Sequence, residues 1–521
     1  GILGLAVAGK AASFENVENK SAITIDNVSV LENKDRFSQT VGNNAAEADL
    51  GGIAANGTLT FNDFAGYALA FAETEMKTLA YGASTQLNFA VSPAGTSVSS
   101  IAVKEVPEGW TIDLSHAKDA TPYIVVSAPS QDAIKAGSAV GTGEIVLEAT
   151  LPGGYVATNV DKPSVRLYGI NDKAEFKSFI SAYGASANSP NITGLDNWLV
   201  DGAITLNTDL TVETGDLATF YVVKFLDLPL EGNNRTITYN VTSAQALVAF
   251  CQGLHADVSN LYFDGSITAT GKSAEVCMLA ARGINTNGSS RKATEVTITN
   301  VHIKSTAIIS FEYDGTGSGA YVAGFVSKGT EAGSTLTYRN CSVAGTIQSI
   351  KGAPQGLAGF SGADGTGVGI WSKFYDCSFT GAIRLEQGLN KAGSIRIGGL
   401  VADNCRNSYY ENCTSSGTIT ADMNGYVFNT SSSKGSGIGG LVGYTQNTSE
   451  GSSSEFKNCS FSGSISAVNM LASTAEYGWT DAGNYDSSIT FGKIVGNASR
   501  KAPSGLDTCT ESGSITYSFA E

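Results

Sequence analysis

NCSFSGSIS, running from Asn458 to Ser466, decides the fold, because it is one of seven versions of a single phrase. The others are NLYFDGSIT from Asn260, NVHIKSTAI from Asn300, NCSVAGTIQ from Asn340, DCSFTGAIR from Asp376, NCTSSGTIT from Asn412 and TCTESGSIT from Thr508. Successive copies start 40, 40, 36, 36, 46 and 50 residues apart. A period of this size means stacked units, none of which buries a core alone.

Working outward, the parity of the phrase assigns its two faces. Cys459, Phe461, Gly463 and Ile465 fall on one side of a strand, and Ser460, Ser462 and Ser464 on the other. The apolar set is therefore expected inside and the hydroxyls in water. The last inward position reads Ile267, Ala307, Ile347, Ile383, Ile419, Ile465 and Ile515. A glycine column precedes it, with Ser305 as the exception. Glycine there permits a bend or close backbone approach. The residue opening each copy is nearly always Asn, which tolerates the left-handed backbone region and can bond its neighbour in the next coil. Glu511 falls on the inward parity of the final copy, which only a terminal coil accepts readily. A second phrase recurs between copies, as in YVAGFVSKG from Tyr321, RIGGLVADN from Arg396 and GIGGLVGYT from Gly437. A weaker strand precedes each copy, such as KFY before Asp376 and SEFK before Asn458. Two or three strands per coil rising in one sense predict a parallel β-helix with coils ~4.8 Å apart.

Composition agrees with short strands and turns. Gly is 61 of 521 residues, above the usual ~7%. The apolar fraction of 42% is that of a folded chain. The net charge of −16 argues against nucleic acid or an anionic membrane as partner, since both need basic patches. No run of 18 apolar residues exists, so no membrane-spanning helix is expected. All eight cysteines follow residue 250, and five of them hold the same repeat position. Stacked positions have parallel Cβ vectors, which do not suit disulfides, so buried free thiols are expected. No CxxC pair exists, and no metal or cofactor is expected.

Upstream of the array the chain reads as three regions. Residues 1–75 form a poorly defined β region, with alternation at SAITIDNVSVL from Ser21 and GTLTFNDF from Gly57. Residues 76–168 carry strands about every ten residues with Pro, Gly and Asp turns between, the pattern of an immunoglobulin-like β-sandwich with Trp110 in its core. Residues 169–521 are the β-helix. It opens on INDKAEFKSFISAYGAS, a helix with Asn171 or Asp172 as N-cap, Glu175 near N3, and Phe176, Phe179 and Ile180 on its buried face. Such a helix caps the open end of a solenoid.

GGLVADN at Gly398–Asn404 and GGLVGYT at Gly439–Thr445, each followed by a phrase of the NC-x-x-x-G-T/S-I kind, resemble the GLUG repeat family. The entry through INDKAEFKSF, ITLNTDLTV and LEGNNRTITYNV is similar to the usual entry of that family, and the likeness covers about residues 170–521. The segment from Leu79 resembles immunoglobulin-like modules of surface lipoproteins in Gram-negative gut anaerobes. The resemblance implies a secreted or outer-membrane surface protein, adhesin-like in some relatives. In others the repeats accompany a metal-dependent protease domain, and no such domain is visible in this sequence.

Motifs of known chemistries are few. The three histidines, His116, His255 and His302, form no HExxH, and neither GxSxG nor a P-loop occurs. Asp201, Asp209, Asp264 and Glu275 are scattered carboxylates whose spacing singles out no pair. DGTGSG from Asp314 and GADGTG from Gly362 are acidic loops without EF-hand spacing. Trp371 and Trp479 fall in inter-phrase loops, where a sugar platform would be built, and are the candidate binding residues. The expectation is a monomeric, non-catalytic surface protein binding a host or dietary glycan or a surface protein. A polysaccharide lyase or glycosidase on the β-helix and a purely structural stalk are the alternatives.

Overall fold

The computed structural model describes residues 67–519 except 74, 152–154, 185, 218–219, 244–246, 272–274, 285–293, 314–319, 330–333, 353, 364–370, 387–394, 405–407, 424–435, 447–453, 471–488 and 500–501, with short strands before them at Val17–Asn19, Ala22–Ile25, Ile53–Ala55 and Thr58–Phe61. The described chain is all-β, with long sheets of parallel strands. It divides into two compact units that do not follow chain order: residues 1–77, 83–128 and 143–165 form one, and residues 78–82, 129–142 and 166–521 the other.

The larger unit is a β-helix-like solenoid built from the repeats. A 21-stranded sheet stacks the phrases coil on coil. Backbone partners run Ile267, Ile309, Ile347, Ile383, Ile419, Ile465 and Ile515. The second copy differs from its expected reading. Ile309, not Ala307, holds the isoleucine column, and Ala307 stands where the other copies have glycine, since Thr346 N–H bonds its carbonyl just as Ala382 N–H bonds that of Gly345. Two extra residues, absorbed in a turn closed by Ala307 N–H to Lys304 C=O, explain why Ser305 broke the pattern.

The thiols stack as expected. Ser378, Thr414, Ser460 and Thr510 each donate their backbone N–H to the carbonyl of the cysteine one coil below, namely Cys341, Cys377, Cys413 and Cys459. All seven described cysteines are free, and six are buried. Burial pushes the Cys341 and Cys413 thiols well above their ordinary range. Beside them Tyr338, Phe374, Tyr410 and Phe456 form a ring stack with centroids 4.6, 4.9 and 4.6 Å apart and planes within 5°. These spacings are the interstrand distance itself.

The Asn column opens each phrase with φ between 50° and 54° at Asn260, Asn300, Asn340, Asp376, Asn412 and Asn458. Asn340 Nδ2 donates to Asn300 Oδ1 (2.7 Å), Asn300 Nδ2 to Asn260 Oδ1 (3.0 Å) and Asn412 Nδ2 to Asp376 Oδ1 (3.1 Å). The left-handed residue turns the chain at a coil corner, and its amide pays the corner's polar debt to the next coil.

A 14-stranded sheet forms from the second phrase, whose two short strands meet at a tight corner. Gly324, Gly359, Gly399 and Gly440 stack there through N–H to C=O bonds. A Cβ on Gly359 would overlap the Gly399 carbonyl oxygen, and one on Gly399 that of Gly440. Glycine permits this close approach in the four middle coils, while Met278 and Lys493 hold the corner in the coils on either side. Behind it lies a buried ion pair, Arg396 with Asp403, 3% and 4% exposed, whose guanidinium sits 4.0 Å from the Tyr444 ring centroid.

One continuous core, from Ile170 to Val495, runs the length of this unit. The helix Lys173–Tyr183 closes its first end. Asp172 is the N-cap, accepting from Glu175 N–H (2.8 Å), and Glu175 returns the bond to Asn171 N–H (2.8 Å). Phe176, Phe179 and Tyr183 are its buried residues, whereas Ile180 is only half-buried. Tyr183 takes the place expected for Ile180 because its hydroxyl finds partners below, donating to Phe225 C=O (3.0 Å) and accepting from Asp227 N–H (2.8 Å). Asp227 in turn holds buried His255 at 2.6 Å. The last coil is open: Glu511, at inward parity, is exposed, and Cys509 and Ile515 are half-buried.

The smaller unit contains two antiparallel sheets. One orders strands Ala68–Phe71, Ser84–Ser92, Tyr123–Ser127 and Thr111–Asp113, and the other Val156–Thr158, Val146–Thr150 and Ser100–Glu105. Leu87, Phe89, Ile124, Val126, Leu147, Ala149 and Trp110 are buried. The early alternations form strands Ala22–Ile25 and Thr58–Phe61, which pair in parallel.

Candidate functional site

The left-handed Asn corner also decides what the solenoid shows to solvent. On the strand before each phrase, alternation runs in a frame reset by that corner. Phe374 and Cys377 both point inward, and Tyr375 lies outward between Phe374 and the corner residue Asp376. Four coils therefore bring Arg339, Tyr375, Glu411 and Lys457 into one outward row, in backbone register. The neighbouring row carries Thr337, Lys373, Tyr409 and Glu455.

These side chains form one connected strip. The Arg339 guanidinium lies 4.2 Å from the Tyr375 ring centroid. Tyr375 and Tyr409 have centroids 5.6 Å apart, tilted by 48°. The Tyr409 hydroxyl donates to Glu411 Oε2 (3.0 Å), and Lys457 Nζ donates to Glu411 Oε1 (2.6 Å). Partial burial and the bond to Glu411 push the Tyr409 phenol up, so it stays a neutral donor. Lys457 and then Tyr409 hold the Glu411 carboxyl below its usual range, and Glu411 raises Lys457 in return. Both tyrosines are half-buried. At ~4.8 Å per coil the strip spans about 14 Å.

Two coils earlier, in the outward column of the phrase, Tyr262 and His302 have centroids 5.2 Å apart, and Lys304 Nζ lies 5.6 Å from the Tyr262 centroid. His302 Nδ1 bonds Ser342 Oγ at 2.8 Å. Partial burial holds the His302 imidazole below its ordinary pKa. Beyond it the column is hydroxylic: Ser342, Ser378, Thr414, Ser460 and Thr510. The face thus offers rings, fixed charges and rows of hydroxyls, which together stack against and hydrogen-bond polyhydroxylated ligands.

The tryptophans singled out from sequence fall largely outside the described residues. Trp371 begins the strand that ends at Tyr375, in register with Thr335, but its side chain lies outside the described residues, as does the whole of Trp479. The loop at Asp314 and most of that at Gly362 also lie outside them. His116 stacks on Tyr123 in the smaller unit, with centroids 4.4 Å apart, and bonds Asp119 at 2.8 Å. Asp209 caps Thr236 N–H (2.8 Å), Asp264 bonds Thr306 (2.6 Å), and Glu275 pairs with Arg282 (3.1 Å). Each of these three carboxylates is committed to the coil. Among the described residues no three His, Cys, Asp or Glu side chains stand together as a metal-ligand set. No described helix is long and apolar enough to cross a membrane.

Comparison with protein-family models, with curated proteins and with solved structures finds no match to this chain.

Proposed function

We propose that this chain is a non-catalytic surface protein of the GLUG-repeat kind that binds a glycan along the outward face of its solenoid. The observation that carries this reading is the strip of Arg339, Tyr375, Tyr409, Glu411 and Lys457, solvent-facing and already ordered by its own contacts. A preordered surface loses little side-chain entropy on binding. In this reading the smaller unit, with four strands in one antiparallel sheet and three in the other, is an immunoglobulin-like spacer, and the protein stands on the outer face of the envelope or is secreted. The acidic charge of −16 suits neutral or basic partners rather than nucleic acid.

A glycan array followed by titration of the best hit tests it. The double variant Tyr375→Ala, Tyr409→Ala should lose about tenfold in affinity, since each ring contact is worth roughly 0.5–1.5 kcal/mol. Its melting temperature should barely change. Turnover of the bound polysaccharide, or unchanged affinity in the variant, would contradict the proposal.

A further inference from the structure

At the capped end of the solenoid a cleft of about 360 Å³ opens among Ala80, Tyr81, Tyr168, Leu199, Val200 and the carboxylates Asp196 and Asp201. Its volume is within the range of small-molecule sites. All of its lining belongs to the solenoid unit, though Ala80 and Tyr81 come from a segment remote in sequence.

The cleft is held by buried polar contacts. The Tyr81 hydroxyl donates to Asn207 Oδ1 (2.5 Å) and accepts from Asn233 Nδ2 (2.9 Å). Burial pushes that phenol up to about 12, so the ring remains neutral. Asn207 Nδ2 donates to the Tyr168 carbonyl (2.8 Å) and to Asn171 Oδ1 (2.8 Å), and Gln131 Nε2 donates to Asn233 Oδ1 (2.9 Å). The Tyr81 ring and the Tyr168 backbone are thus held from behind. Asp201 is held by a two-residue hairpin turn, with φ of 51° there and 81° at Gly202, between the paired strands Leu199–Val200 and Ala203–Thr205.

Several other carboxylates at this end have partners, and the Arg235 guanidinium donates to the Ile134 carbonyl. Glu175 pairs with Arg166, Asp216 with Lys173 and Lys177, Asp227 with His255, and Glu231 takes Asn260 and Ser259. Asp196 and Asp201 are solvent-exposed, and among the described residues their carboxylates have no hydrogen-bond or ion-pair partner. Two unmatched anions beside two aromatic rings, that of Tyr81 fixed through its hydroxyl, and two aliphatic side chains favour one ligand chemistry. A cation gains from both carboxylates and from the ring faces, while a short hydrocarbon covers Leu199 and Val200.

We propose that this cleft binds an organic ammonium ion carried on a short apolar body. The site is separate from the glycan strip and does not depend on it.

Titration of the whole chain with n-hexylammonium and with its neutral counterpart n-hexanol, followed by calorimetry at low salt, tests this. Saturable binding of the ammonium is expected, about tenfold tighter than the alcohol, as two exposed ion pairs of up to ~1 kcal/mol each allow. The double variant Asp196→Asn, Asp201→Asn should lose that tenfold advantage while binding the alcohol as before. Asn tolerates the left-handed backbone at residue 201. Should the double variant lose its folded spectrum, Asp201→Asn alone carries the test with about a threefold loss. No saturation by the ammonium, equal affinity for the alcohol, or full affinity in a folded variant would overturn the proposal.

Discussion

Single residues set the shape through backbone chemistry. The Asn column is the clearest case, because φ is near 50° at each member and Asn300, Asn340 and Asn412 donate from their amides to the member one coil below. Asn340→Ala removes both, placing a residue of higher strain at the corner and breaking the bond to Asn300. A loss of about 2 kcal/mol is expected in chemical denaturation, with Asn340→Gly costing less because glycine relieves the strain. His302 gives a pH signature. Burial depresses its folded pKa, so its contribution is fully present above the unfolded value of about 6.5 and is lost as pH falls through the folded value. Melting temperature should therefore drop on acidification from pH 7.5 to 5, and His302→Gln should make that drop smaller. An unchanged drop would assign the effect to other groups.

Elements are where the sequence was read well and where it misled. All the phrases but the second alternate in a shared register, so their inward columns and the stacked thiols were legible. The capping helix announced itself through Asp172 and Glu175, and only its third buried residue was misread, because Tyr183 is held by polar partners no periodicity shows. The second copy slipped by two residues because an insertion inside a strand phrase is invisible until its neighbours fix the register. The outward strip escaped notice for a related reason. Counting by two back from Cys377 makes Tyr375 inward, but the left-handed Asp376 resets the frame. The rings of this strip belong to KFY and YYE, just before the corner. The cap itself carries a prediction. Phe179→Ala should cost about 3–5 kcal/mol and should expose the first coils to hydrogen exchange before the later ones. Uniform loss of protection along the array would contradict a role confined to the cap.

At the scale of the molecule the array behaves as a one-dimensional stack, each coil resting on its neighbours. That geometry repeats a surface as well as a core, which is how Arg339, Tyr375, Glu411 and Lys457, far apart in sequence, become one row. The larger charge and ring pattern is local to a few coils, and the hydroxyl rows extend beyond it. The most direct test of the account is a distance. Ser342 and Thr510 occupy the same outward column four coils apart, although 168 residues separate them. Spin labels at the two positions, measured by pulsed electron–electron resonance, should give a narrow distribution near ~20 Å, as four steps of ~4.8 Å require. A broad distribution, or a mean beyond about 35 Å, would contradict the stacked coils and with them the surface on which binding is proposed.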